Sequence, residues 1–241
     1  RSRSHEYVAQ EVKAVRENVG ASEVASFANH KFTGSGAWAF LNRILAGHMP
    51  ESGRVNLSPM LLESGKLNGD LTVACIDNET YYLFGSSVAQ NMHLRWFEKH
   101  LEGVDDVIYK NMTDDFHGVA ISGPNSRELL SRLTREDVSS ESFKFRDIRD
   151  TFIGGVPALC VRLSFTGELG YEIYVAPQFQ LKLFDEVPEG GKDLDVKWFG
   201  GRALMSMRLE KSWGAWTMDF RPDFTLMESG LDFFVDWDKD F

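Results

Sequence analysis

A carboxylate stands on a glycine-rich turn within residues 165–172, FTGELGYE. Apolar, β-branched runs lie on both sides, so the pattern predicts a strand, a turn and a second strand. Glu168 lies between Gly167 and Gly170, whose missing side chains leave room for a planar ligand to approach. An ordinary solvated turn glutamate is the alternative interpretation, because glycine-rich turns are common.

Asp70 is a second candidate carboxylate. It follows Gly69 and precedes the apolar run 71–73, so it is expected to project from a strand end into a cleft. There a carboxylate can accept a proton or stabilise positive charge that develops on nitrogen. The alternative is a structural aspartate that is hydrogen bonded at a strand end.

The elements that must position these side chains follow from hydrophobic periodicity. Valines at helical spacing predict an N-terminal amphipathic helix from His5 to Val19. Further helices are predicted at 37–45, 89–101 and 202–211, and extended segments at 26–33, 54–62, 71–76, 81–85 and 231–235.

The order of these elements recurs within the chain. Residues 32–35 with their following helix align with residues 121–124, which lie 89 residues later, and 82–84 aligns with 172–174 at an offset of 90. Two copies of one βαββα-like unit are predicted, whose sheets are antiparallel and backed by helices on one face. Chance agreement among short apolar patterns is the alternative.

Composition narrows the function classes. The chain has 241 residues, 43% of them hydrophobic, and a formal net charge of −10, which argues against nucleic acid or an anionic membrane as partner. Cys75 and Cys160 each lie in an apolar run, which favours buried free thiols. The six histidines form no ligand cluster; His93 and His100 are interpreted as solvated helix residues, and no metal site is predicted.

Together with residues 165–172, three segments resemble the glycine-cleavage T-protein (aminomethyltransferase) family. They are GKLNGDLTV at 65–73, ISGP at 121–124 and GRALMSMRLEK at 201–211. Their amino-acid sequences are most similar to those of the folate domain of dimethylglycine and sarcosine dehydrogenases. The resemblance covers residues 8–241. It implies a folate-binding, T-protein-like α+β fold of duplicated ferredoxin-like units, with the C-terminal barrel of the family absent from this chain.

The resemblance also implies roles for individual residues. Glu168 becomes the pterin anchor, since one carboxylate can accept both the N–H and the amino group of the pterin edge. Asp70 becomes the catalytic carboxylate beside N10 of tetrahydrofolate. Many family members have two consecutive acids where this chain has Gly69 and Asp70, so only Asp70 is carried over. Met60 is placed among the cofactor-binding residues.

Three more cofactor-binding residues follow from the resemblance, each with a structural alternative. Arg208 binds a folate carboxylate, braces the acids of the cleft, or is a structural helix arginine paired with Glu210 or Glu172, since an unpaired buried guanidinium is costly. Trp216 and Tyr171 are placed near the folate ring, on which their side chains would stack. The alternative is packing in the protein core, which is more frequent for a tryptophan.

The function expected from the resemblance is tetrahydrofolate-dependent one-carbon transfer. The carbon of an oxidised N-methyl amine, of the dimethylglycine or sarcosine type, would reach folate as 5,10-methylenetetrahydrofolate. Alternatives are a stand-alone aminomethyltransferase or methyltransferase and a non-catalytic folate-binding protein of the same fold.

The domain organisation expected is two halves of one folate-binding domain. The first covers residues 1–110, and the second covers 111–241 with a closing helix and strand. The chain has no dinucleotide fingerprint, so FAD is expected only in a preceding domain or a partner chain. A cytoplasmic location, or the mitochondrial matrix in a eukaryote, is expected.

Overall fold

The computed structural model describes residues 3–239, which divide into two compact units. Unit 1 contains the described part of the first 25 residues together with Asp114–Trp213. Unit 2 contains Ser26–Thr113 together with the described residues from Gly214 onward. Within the described range, no helix is long and apolar enough to span a bilayer.

The helices and strands are numbered in chain order. They are α1 (Ser4–Glu17), β1 (Gly20–Glu23), β2 (Ala28–Thr33), α2 (Ala37–Ile44), β3 (Arg54–Leu61), β4 (Leu67–Asp77), β5 (Thr80–Gly85), α3 (Gln90–Leu101), β6 (Ile108–Asn111), β7 (His117–Ser122), α4 (Ser126–Leu133), β8 (Ile148–Ile153), β9 (Val156–Val161), β10 (Gly170–Val175), α5 (Gln180–Gly190), β11 (Lys197–Trp198) and α6 (Gly201–Glu210).

Unit 1 is built on a six-stranded sheet in the order β11-β1-β7-β10-β9-β8. Its pairs are antiparallel except β1 with β11. Leucines of α4 and α5 pack into the core with Ile173 and Val175 of β10. Helix α1 buries Val15 against Ala203 and Met207 of α6, as its valine spacing requires. Helix α1 therefore belongs to the unit that contains the FTGELGYE turn.

Unit 2 is built on a five-stranded antiparallel sheet in the order β3-β4-β5-β2-β6. Helices α2 and α3 contribute Leu41 and Phe97 to a core that also contains Phe32, Leu71 and Leu83 of the sheet. These residues are all fully buried. The sheet therefore presents one apolar face to the helices.

The internal repeat is visible in both units. The order β2-α2-β3-β4-β5-α3 in unit 2 recurs as β7-α4-β8-β9-β10-α5 in unit 1. The strand neighbours match as well, since β3-β4-β5-β2 corresponds to β8-β9-β10-β7. The predicted α+β fold with duplicated antiparallel units is confirmed, with one more strand per copy than in a βαββα unit. The assignment of residues 1–110 and 111–241 as the two halves of a domain stays a prediction.

One predicted strand is wrong. Residues 231–235 contain a short 3-10 helix, Asp232–Phe234, where the sequence predicts the last strand. Gly230 has a φ of +64°, and the Phe234 N–H donates to the carbonyl of Leu231 at 3.1 Å. Local turn bonds therefore satisfy this backbone in place of a sheet ladder.

Both cysteines are buried free thiols, as the sequence predicts. Burial raises the pKa of the Cys75 thiol and that of the Cys160 thiol. Each thiol therefore stays protonated at neutral pH and is a weak nucleophile.

Candidate active site

Asp70 lies on β4, opposite Pro59 of β3. Just before it, the register shifts: Met60 pairs with Gly69, whereas Leu61 pairs with Leu67. The extra residue, Asn68, makes this a β-bulge. A bulge bends a strand locally and changes the direction of nearby side chains, and bulges are frequent beside active sites.

The side chain of Asp70 is half-buried. Loss of solvation raises the pKa of its carboxyl group from the usual 3.8 to about 7, although a bond from its own backbone N–H offsets part of the effect. A carboxyl group with a pKa near neutrality can both accept and return a proton at physiological pH.

The raised pKa predicts that Asp70→Asn stabilises the protein at high pH. The folded state holds a proton that the unfolded state releases above about pH 4, so stability falls as pH rises from about 4 to 7 and stays lower above it. Asparagine has no charge to desolvate. After solvent screening, about 1 kcal/mol of the free-energy cost of burying the charged carboxylate is expected to remain. Tm of the Asp70→Asn variant at pH 8.5 is therefore expected to be higher than that of wild type by about 2–4 °C.

Thermal unfolding between pH 4 and 8.5 tests this effect. The stabilisation should vanish at pH 4, and the exposed Asp105→Asn serves as the matched control. An equal shift in Tm at both ends of the pH range would contradict the burial of a charged Asp70.

Met60 and Trp216, the other predicted site residues of unit 2, are both buried. Met60 is fully buried in the core. As the partner of Gly69 it lies on the opposite face of the sheet from Asp70, because side chains alternate along a strand. The indole of Trp216 lies 6.3 Å, centroid to centroid, from the imidazole of His93. Their contacts with folate stay predictions.

His93 is not the solvated helix residue that the sequence analysis expects. It is 1% exposed, and its Nε2 lies 3.1 Å from the carbonyl oxygen of Asn68. Burial lowers the pKa of His93 to about 4, so the ring is neutral at pH 7. A helical periodicity does not reveal this burial, because the space for the ring comes from glycines on distant strands.

In unit 1, Glu168 lies on the turn between β9 and β10, as the sequence predicts. Gly167 has a φ of +87°, a conformation that favours glycine. The Glu168 N–H donates to Oγ1 of Thr166 at 3.3 Å, which stabilises the turn locally. The Glu168 side chain is 29% exposed, so a ligand can reach its carboxylate.

Arg16 of α1 holds this carboxylate. Its Nη1 donates to Oε1 of Glu168 at 2.8 Å and to the carbonyl oxygen of Thr166 at 2.8 Å. Its Nη2 donates to Oε2 of Glu210 at 2.7 Å. One guanidinium thus joins α1, the turn and the end of α6. The planar guanidinium suits this role because its several N–H donors are held in a fixed arrangement.

The sequence analysis does not identify Arg16 as a site residue. The only local signal is an arginine beside the buried stripe position Val15. Its partner Glu168 is 152 residues away, so no sequence spacing relates the two.

Tyr171 and Arg208 lie in the interior of unit 1. Tyr171 is fully buried, with its ring centroid 5.6 Å from that of Phe143. Arg208 is 5% exposed, and its Nη1 donates to the carbonyl oxygen of Trp213 at 2.8 Å. Both positions favour the structural alternatives over ligand contact, and their contacts with folate stay predictions.

The fold is that of a known class of protein. The chain matches the model of the GCVT N-terminal domain over residues 1–239 and belongs to that family. Its fold is also that of glycine cleavage system aminomethyltransferase T from Bartonella henselae, with a TM-score of 0.84 at 20% identity over 95% of this chain and 61% of that one.

Among individual proteins, the chain is similar to human mitochondrial dimethylglycine dehydrogenase, with 32% identity over 97% of this chain and 27% of that protein. It is similar to an aminomethyltransferase of Caldanaerobacter subterraneus, with 30% identity over 97% of this chain and 63% of that protein. A chain of heterotetrameric sarcosine oxidase from Corynebacterium sp. U-96 shares the fold, with a TM-score of 0.61 at 16% identity over 83% of this chain and 98% of that one.

The chain therefore spans about a quarter of the dimethylglycine dehydrogenases and under two thirds of the aminomethyltransferases that it matches.

Proposed function

We propose that this chain is the tetrahydrofolate-dependent one-carbon transfer domain of an enzyme of the dimethylglycine or sarcosine dehydrogenase type. It would accept the carbon of an oxidised N-methyl amine, and the product would be 5,10-methylenetetrahydrofolate. A flavin domain, in the same chain or in a partner, would carry out the oxidation. The observation that carries the proposal is the half-buried Asp70, whose pKa of about 7 suits proton transfer.

Reduced folate supplies the nucleophilic nitrogen N5 and the second nitrogen, N10, that together bind the carbon. N5 would bond to the carbon first, and the demethylated amine would then leave with one proton as its bond to the carbon breaks. Asp70 would accept the second proton, which N10 loses when it bonds to the carbon. Glu168 would accept hydrogen bonds from the pterin edge through its solvent-accessible carboxylate.

A stand-alone aminomethyltransferase of the glycine-cleavage type is the second candidate. The similarity to bacterial aminomethyltransferases favours it, and it would use the same two carboxylates without a flavin partner. Assays of the full-length enzyme distinguish the two. Folate-dependent capture of carbon from dimethylglycine or sarcosine supports the first, and transfer from a carrier-bound aminomethyl group supports the second.

Binding of reduced folate, measured by calorimetry, tests both enzymatic candidates together. Saturable binding that is weakened in the Glu168→Gln variant supports them. Full-length protein that binds no reduced folate would contradict both, along with the folate-binding alternative.

Arg16→Gln is expected to weaken folate binding by about 1–2 kcal/mol, because Glu168 loses the charge-assisted bond that orients it. Arg16→Lys keeps the positive charge but loses the planar guanidinium, so the loss of folate affinity should be smaller than for Arg16→Gln. Titration calorimetry measures both. Glu210→Gln, which removes the other carboxylate of Arg16, is the control; an equal loss there would mean that the network, not the Arg16–Glu168 bond, determines affinity.

A further inference from the structure

His93 lies against the sheet of unit 2 where two strands carry glycine. A Cβ atom at Gly69 of β4 would lie 2.7 Å from its Nε2, closer than real atoms approach. A Cβ at Gly85 of β5 would lie 3.3 Å from its Cε1. The imidazole therefore occupies space that side chains at these two positions would otherwise fill, which explains how a polar ring from α3 can be buried there.

The ring is held in place by a bond to the bulge. Nε2 of His93 lies 3.1 Å from the carbonyl oxygen of Asn68, the extra residue of the β3-β4 ladder. A bulge disrupts the ladder locally, and a buried carbonyl needs a donor from elsewhere. The neutral ring supplies it as the Nε2–H tautomer, because a carbonyl accepts only. The bulge that precedes Asp70 is thus bonded to a side chain of α3.

A second histidine, His30, packs against the His93 ring. The His30 ring lies 6.0 Å from that of His93, centroid to centroid, and its Nδ1 lies 2.9 Å from the hydroxyl oxygen of Tyr109. Burial lowers the pKa of His30 to about 3, so this ring is also neutral. His30 therefore packs edge-on against His93, and neither ring carries a charge at pH 7.

We propose that His93 is a positioning residue for Asp70: through the Asn68 carbonyl and the glycine at position 69 it fixes the bulge, and with it the direction of the catalytic carboxylate. This role rests on the proposed one-carbon transfer. The His93 ring lies on the face of β4 to which a Cβ at position 69 would point, and the Asp70 side chain points to the opposite face. His93 therefore acts through the backbone and not by touching substrate.

A double-mutant cycle in the full-length enzyme tests the packing without any assay of function. Gly69→Ala should lower Tm by at least about 3 °C relative to wild type. In the His93→Ala background, the same substitution should lower Tm by under about 1 °C relative to the His93→Ala single variant. Gly85→Ala is the matched control. Its methyl group meets Leu71 Cδ2 at 2.7 Å and the imidazole only at 3.3 Å, so most of its loss of Tm should persist in the His93→Ala background. If Gly69→Ala lowers Tm equally in both backgrounds, the His93 ring does not occupy the space beside Gly69, and the inference is overturned.

Kinetics of folate-dependent carbon capture test the positioning. His93→Leu keeps bulk but loses the donor, and should lower kcat by about 10–100-fold with little change in KM for folate. His93→Gln retains an N–H at the same reach and should recover most of kcat. Folded His93→Leu enzyme with normal kcat, in an assay where Asp70→Asn is slow, would overturn the inference. If Asp70→Asn is itself normal, the proposed function and the positioning role both fail, while the stability coupling remains.

Discussion

Asp70→Asn is expected to slow one-carbon transfer by about 10²–10⁴-fold while most of the folate affinity remains. The amide has the same shape as the carboxylate but cannot accept the proton, and the raised pKa of Asp70 indicates that proton acceptance is available near pH 7. The rate should be measured in the full-length enzyme as folate-dependent capture of the oxidised methyl group, not as release of free formaldehyde.

The pH dependence gives this prediction a second readout. The wild-type rate should fall as pH drops below about 7, since the acceptor form of Asp70 is then lost, whereas the residual rate of Asp70→Asn should lack that step. Asp105→Asn is the control for an exposed aspartate of the same unit. A variant that captures carbon as fast as wild type would end the catalytic assignment, and one that loses folate binding would make Asp70 a ligand contact.

Glu168→Gln is expected to weaken binding of reduced folate by about 1.5–3 kcal/mol, roughly 10–150-fold in Kd. Glutamine keeps the size of the side chain, but one acceptor becomes a donor and the charge is lost, so it can no longer accept both groups of the pterin edge. Titration calorimetry at fixed ionic strength measures the change.

The matched control for this measurement is Glu141→Gln, an exposed glutamate of the same unit. Because Arg16 also loses one of its two carboxylate partners, thermal unfolding should be recorded for both variants. Unchanged folate affinity in a folded Glu168→Gln protein would return Glu168 to the role of a solvated turn residue that pairs with Arg16.

Much of the framework was predictable because its signals are local. The valine stripe of α1, the strand flanks of the 165–172 turn and the recurrence of elements along the chain all depend on periods of 3.6 or 2 residues and on turn chemistry. The structure confirms these features. Where the same local reasoning extended to residues 231–235 it was wrong, since no neighbouring strand pairs with them in the described part of the chain and the glycine before them favours a turn.

By itself, the sequence identified the two candidate carboxylates, placed Asp70 at a strand end and Glu168 on a turn, and predicted that two similar units build the fold. The structure places Asp70 inside β4 and not at its end, because β4 begins at Leu67. Only the tertiary structure decided that Arg16 holds Glu168, that His93 is buried over two glycines, and that Met60 and Tyr171 lie in the cores. The physical reason is that burial and pairing depend on residues far apart in the chain. Desolvation raises the pKa of Asp70, and desolvation is a property of the surroundings that folding brings together.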